Sequence, residues 1–167
     1  MNIGKIRKLS CLVVLLLLTA AVTVTAYGAP GVYVGDQAPE FSLPLVSGEN
    51  VQVNYGGKLT VLNFWAAWCS DCRNEMPEIN DFVKAYGSRL TFYAVDRRES
   101  AEKVTQYLNE NHYDLPVLLD ESGELAKQFA IQTIPTTIVI NSQQQIIFRK
   151  AGEMTRAELE GIVAGNL

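Results

Sequence analysis

Leu62-Asn63-Phe64-Trp65-Ala66-Ala67-Trp68-Cys69-Ser70-Asp71-Cys72 decides how this 167-residue chain folds and works. The run from Leu59 to Trp65 is nearly continuous in apolar residues and suits a buried central strand. Behind it, Ile79, Phe82, Val83 and Tyr86 recur at helical spacing and predict a helix over 70–86. Pro77, inside that stretch, is expected to kink it. The two cysteines therefore stand where a strand hands over to a helix.

Cysteines at i and i+3 on a helical turn face the same way, with Cβ atoms roughly 5–6 Å apart. A disulfide needs about 3.5–4.5 Å, so a small adjustment separates dithiol from bridge. Cys69, opening the turn, lies where unpaired N–H groups and the positive end of the helix dipole favour an anion. Such a site lowers a thiol pKa from its free value of about 8.5 toward neutrality and makes a nucleophile. Cys72, one turn further in, is expected to be more buried and to act as the resolving thiol. A four-ligand structural zinc site could not be assembled without carboxylates: there is no second cysteine pair, and His112 is the sole histidine. A structural bridge of this spacing closes too small a loop to stabilise much. No metal and no cofactor are expected.

Composition narrows the setting. Hydrophobic residues at 48% and charged residues at 19% are ordinary for one globular domain. Residues 27–167 carry 11 basic and 18 acidic side chains, a net −7 that argues against nucleic acid and anionic membranes as partners. Lys5, Arg7 and Lys8 precede an apolar run from Leu9 to Ala26, an export address. Two readings stay open: cleavage after Val24-Thr25-Ala26, or a retained anchor, since 18 apolar residues lie within spanning length. Both place the folded part outside the cytoplasm, anchored or else secreted or periplasmic. Residues 1–29 are thus a signal peptide or anchor plus linker, with Gly28 to Gly35 reading as linker, and 30–167 are the domain. Cys11 lies before most of the apolar run and is read as inert or removed. One closely spaced pair in the exported part fits chemistry better than stapling.

Further along, 41–45 and 51–53 predict a hairpin, and 90–95 a second buried strand. Ser100 can cap a helix through about Glu110, and Leu115 to Leu119 reads as a strand whose Pro116 suggests a sheet edge. Ser122 is read as the start of a short helix. Thr136–Ile140 and Gln145–Phe148 predict a hairpin, followed by a helix from Thr155 with Glu158 as its capping-box partner. This order implies an α/β fold, a mixed central sheet with helices on both faces.

Trp65 to Cys72 after a buried strand resembles the thioredoxin active site, and Thr133-Ile134-Pro135-Thr136-Thr137 resembles that fold's second marker. The resemblance implies a cis Pro135 lying against the dithiol and an Ile134 backbone open to a substrate strand. Within the superfamily the chain looks most like the exported or membrane-tethered ResA/TlpA-type thiol–disulfide oxidoreductases. The features are Ala38-Pro39-Glu40-Phe41, Asn63-Phe64-Trp65, Glu75-Met76-Pro77 and the extra βα segment around 100–130. The likeness covers residues 35–165 and implies a thioredoxin-like fold with an N-terminal hairpin and a central βα insertion.

The resemblance also implies roles. Cys69 attacks a substrate disulfide and Cys72 resolves it. Glu75, matching a glutamate three residues after the second cysteine, would accept a proton from Cys72 or modulate the pair. Trp68 would meet the docking peptide or line the core. Asn63 replaces the buried acid of cytoplasmic thioredoxins. Asp71 departs from the group: its carboxylate opposes a neighbouring thiolate and favours a stronger reductant. Implied substrates are disulfides of exported proteins, often the haem-binding cysteine pair of apocytochrome c, with electrons from a transmembrane thiol carrier; a monomer is expected. Two alternatives stay open. One is a peroxiredoxin-like thiol peroxidase, which would want a Thr and a cation where this chain has Trp65-Ala66-Ala67-Trp68 and only Arg73 nearby. The other is a copper-delivery protein using His112, which reads more simply as a solvated helix-end histidine.

Overall fold

Residues 32–167 are described by the computed structural model. The signal or anchor segment lies outside the described residues. Among the described residues, no helix is long and apolar enough to cross a membrane.

Strands β1 (Phe41–Pro44) and β2 (Asn50–Val53) pair antiparallel as a separate two-stranded hairpin. The main sheet holds β3 (Thr60–Trp65), β4 (Thr91–Arg97), β5 (Val117–Asp120), β6 (Thr136–Ile140) and β7 (Ile146–Ala151), in the spatial order β5-β4-β3-β6-β7. Pairs β3–β4 and β4–β5 are parallel, whereas β3–β6 and β6–β7 are antiparallel. Helices α1 (Ser70–Tyr86) and α2 (Ala101–Asn111) make the parallel crossovers. Helix α3 (Glu124–Gln128) precedes β6, and α4 (Arg156–Ala164) ends the chain.

Strand β3 is buried along its whole length, which explains its unbroken apolar sequence. Its side chains alternate between two cores. Val61 and Trp65 join Met76, Ile79 and Phe82 of α1, Val104 and Leu108 of α2, and Leu159 and Val163 of α4. Leu62 and Phe64 face the hairpin and α3, meeting Phe41, Val53, Leu125 and Phe129. Three helices thus cover one face, and one short helix with the hairpin covers the other.

Several boundaries differ from the sequence reading. The described end of the Gly28–Gly35 stretch, residues 32–35, is not a free linker: Gly35 N–H donates to Ile146 O, and Arg149 donates to Val32 O. One residue on, Asp36 O accepts from Ile146 N–H. Helix α1 runs through Pro77 as one element. Ser100 occupies the N-cap of α2 but makes no capping hydrogen bond. Helix α3 starts after Gly123, not at Ser122, because Gly123 sits at φ 75°, a left-handed conformation suited to glycine. Strand β4 continues to Arg97 and β7 to Ala151. Strand β5 is the edge that Pro116 suggested, and the chain after β1 covers it: Leu45 bridges Leu118, and Val46 N–H donates to Val117 O. The predicted capping box at Thr155 and Glu158 is present.

Candidate active site

Cys69 is the N-cap of α1, in extended backbone, and its Sγ accepts from Cys72 N–H at 3.3 Å. A side-chain acceptor belongs at this position, where the first helical N–H groups have no backbone partner. Here the acceptor is sulfur. The geometry that caps the helix is the one that stabilises a thiolate. Cys69 and Cys72 are joined in a disulfide with Cα atoms 5.2 Å apart. Cys69 keeps 8% of its surface exposed and Cys72 none, so a partner thiol reaches the bridge at Cys69. Trp68, beside it, is 62% exposed and does not line the core.

The loop before β6 closes the other side of the disulfide. The Ile134–Pro135 peptide bond is cis, and Ile134 O lies 3.6 Å from Cys69 Sγ. Thr136 Oγ1 donates to Thr133 O at 2.7 Å and ties the loop together. His112 is an exposed helix C-cap in the left-handed region. Among the described residues, no group of three or more His, Cys, Asp or Glu is arranged to hold a metal.

Behind Cys72, Glu75 projects from α1 into the core and is 2% exposed. Asn63 Nδ2 donates to Glu75 Oε1 at 2.8 Å and to Thr137 Oγ1 at 3.1 Å. Met154 N–H donates to Glu75 Oε2 at 2.8 Å. Burial pushes the Glu75 carboxyl up to about 7, although the donors Asn63 and Met154 pull it down. Asn63 is therefore a donor to the acid rather than an acid itself. Asp71, in the first turn of α1, is exposed and accepts from Ser70 Oγ at 3.2 Å.

A second acidic group lies under the loop leading into Cys69. Glu99 Oε2 accepts from Ala67 N–H at 2.6 Å, and Glu99 N–H donates to Asp96 Oδ1 at 3.0 Å. Asp96 is fully buried, and burial pushes its carboxyl up to about 8, with Glu99 adding to the shift. Asp96, Glu99, Thr137 and Met154 were not among the candidates from sequence. Thr137 lies within the motif quoted above, and Asp96 sits inside β4 at a fully buried position, where an acid is unusual. Met154 contributes only a backbone N–H and leaves no signal.

A solvent-reachable sulfur at a helix start, a buried partner and a proline loop across them define a thioredoxin-like thiol–disulfide oxidoreductase. The chain belongs to the AhpC/TSA family, whose model matches residues 34–149. It is 32% identical over 124 residues to sporulation thiol-disulfide oxidoreductase A of Bacillus subtilis, covering 72% of this chain and 75% of that one. It is 29% identical over 163 residues to thiol-disulfide oxidoreductase ResA of Bacillus cereus, covering 93% and 94%. The crystal structure of StoA from Bacillus subtilis superimposes with a TM-score of 0.68 at 29% identity, covering 75% of this chain and 96% of that chain.

Proposed function

We propose that this protein works outside the cytoplasm, held by its N-terminal segment or released by cleavage, and reduces disulfides of exported proteins. Apocytochrome c, with its haem-binding cysteine pair, is the substrate the ResA-type likeness favours. The observation that carries the reading is the pairing of Cys69, the less buried of the two cysteines and the N-cap of α1, with a wholly buried Cys72 one helical turn before the buried Glu75.

In the forward direction, the Cys69 thiolate attacks one sulfur of the substrate disulfide. That bond breaks, the other substrate sulfur leaves as thiolate and takes a proton, and a mixed disulfide forms. Cys72 gives its proton to Glu75 and attacks Cys69 Sγ, releasing the second substrate thiol and leaving Cys69–Cys72 oxidised. A carboxyl titrating near 7 suits this transfer, since it is a usable base at neutral pH. Trp68 and the Ile134–Pro135 backbone receive the substrate segment, and the protein acts as a monomer. A transmembrane thiol carrier restores the dithiol by the reverse exchange.

The test joins a trap to a potential. Cys72→Ala is expected to accumulate a mixed disulfide with a cysteine-pair peptide; equal trapping by Cys69→Ala overturns the assignment of the attacking thiol. A Cys69–Cys72 potential near that of thioredoxin, about −270 mV, supports a reductant, and one near about −120 mV overturns it. Hydrogen peroxide consumption faster than peptide reduction would move the assignment to a peroxidase.

A further inference from the structure

The loop from Ala66 to Cys69 carries the attacking thiol, and one side chain fixes it from below. Glu99 accepts the Ala67 N–H at 2.6 Å, two residues before Cys69. On the outer side, Arg73 Nη1 donates to Ala67 O at 3.1 Å. Glu99 is buried in turn and held through its own N–H by Asp96 Oδ1. Asp96 is the register partner of Trp65, the last residue of β3, so both acids sit at the strand ends that launch the loop.

The other Asp96 oxygen, Oδ2, is fully buried and has no hydrogen-bond partner. A charged oxygen left bare in such a place is costly, whereas a protonated one is a donor in search of an acceptor. The groups facing it are acidic: Glu99 after β4 and Asp120 on β5. Asp120 is already used, taking Leu125 N–H at 3.1 Å and Ala126 N–H at 2.7 Å at the start of α3. From α2, Tyr107 packs on Trp65 with ring centroids 5.4 Å apart and brings no charge. Among the described residues, no ion pair reaches Asp96, Glu99 or Asp120.

We infer that Asp96 and Glu99 form a one-proton carboxyl pair, the proton on Asp96 Oδ2, that positions the Cys69 loop through the Glu99–Ala67 hydrogen bond. Like charges this close do not both ionise easily, so one proton keeps Glu99 as a fixed acceptor. When that proton leaves, a second negative charge appears beneath the loop. It opposes the Cys69 thiolate and slows its attack. Asp96 and Glu99 are positioning residues, since neither touches the sulfurs or the substrate. The inference rests on the thiol–disulfide chemistry and is independent of which exported protein is reduced.

The test begins with the oxidised full chain, in which neither Cys69 nor Cys72 titrates. The Ala67 amide resonance, followed by two-dimensional NMR from about pH 6 to about pH 10, is expected to show an ionisation step. Asp96→Asn, which offers an N–H donor to Glu99 in place of the proton, is expected to abolish it. Glu75→Gln is expected to leave it in place, which separates it from the Glu75 ionisation. A flat Ala67 resonance in the unaltered protein, or a step that survives Asp96→Asn, overturns the inference.

Kinetics supplies the second readout, with a small aromatic disulfide as substrate so that the physiological partner plays no part. Glu99→Ala is expected to slow attack by reduced Cys69 about tenfold, whereas Glu99→Gln, whose carbonyl still accepts from Ala67, keeps most of the rate. Equal loss in both variants overturns the positioning role.

Discussion

On the β6 side of the dithiol, Glu75 has both oxygens filled, one by Asn63 and one by Met154 N–H. On the β4 side, Asp96 has one oxygen filled by Glu99 N–H and the other empty. Burial raises both carboxyls, Glu75 to about 7 and Asp96 to about 8. The difference lies in the neighbours. Donors steady the charged form of Glu75, whereas Asp96 faces another acid that favours its neutral form.

The largest expected effect breaks the β6 side. On the proposed mechanism Glu75→Gln removes the acceptor for the Cys72 proton, and turnover at pH 7 is expected to fall by about ten- to a hundredfold. Rapid-quench trapping should show the mixed disulfide accumulating, because resolution is slowed more than attack. Equal slowing of both steps would place Glu75 outside the proton path.

Stability against pH gives the next effect. A carboxyl whose folded pKa is raised contributes stability that is present below the unfolded value and lost as pH rises through the folded one. Glu75 should therefore make the protein less stable as pH climbs from about 4.5 to about 7, by at most roughly 3 kcal/mol. Glu75→Gln is expected to flatten that part of a denaturant-midpoint curve. Loss above pH 7 that persists in Glu75→Gln belongs to Asp96.

Asn63→Asp makes the β6 side resemble the β4 side, by placing a second acid against Glu75. The variant should lose roughly 1–3 kcal/mol at pH 8, where two facing acids must ionise, and much less at pH 5. Chemical denaturation at the two pH values measures it. The smallest effect concerns Asp71, which is exposed and screened by solvent. Asp71→Asn is expected to lower the Cys69 pKa by less than about one unit and to raise the potential by less than about 30 mV. Iodoacetamide alkylation rates and glutathione equilibration would reveal no change if Asp71 has no part in tuning.

The two sides also differ in how far the sequence foretold them. The strand–dithiol–helix unit was legible because Leu59–Trp65 is apolar throughout and the cysteines open a helical period. Glu75 came from its place three residues after Cys72, as the resemblance implied; that it is buried depends on α4 and the connection carrying Met154, which meet α1 from far along the chain. Asp96-Arg97-Arg98-Glu99 reads locally as a charged turn at a strand end. The burial of Asp96 and Glu99 within it comes from tertiary packing, and pairing of distant elements leaves no local period to detect. The Gly28–Gly35 stretch misled for the same reason, since its glycines look like a linker until β7 supplies a hydrogen-bond partner for Gly35.

The N-terminal part of the described chain touches both margins of the sheet, at Ile146 through Gly35 and Asp36, and at Val117 and Leu118 through Val46 and Leu45. Under the proposed function a particular hazard arises, because a bare strand edge takes up any extended chain, whatever its sequence. Covering β5 at Val117 and Leu118 and the start of β7 at Ile146 from within the same chain sets docking there in competition with the chain's own backbone. On the proposed function, that competition favours the backbone beside the disulfide.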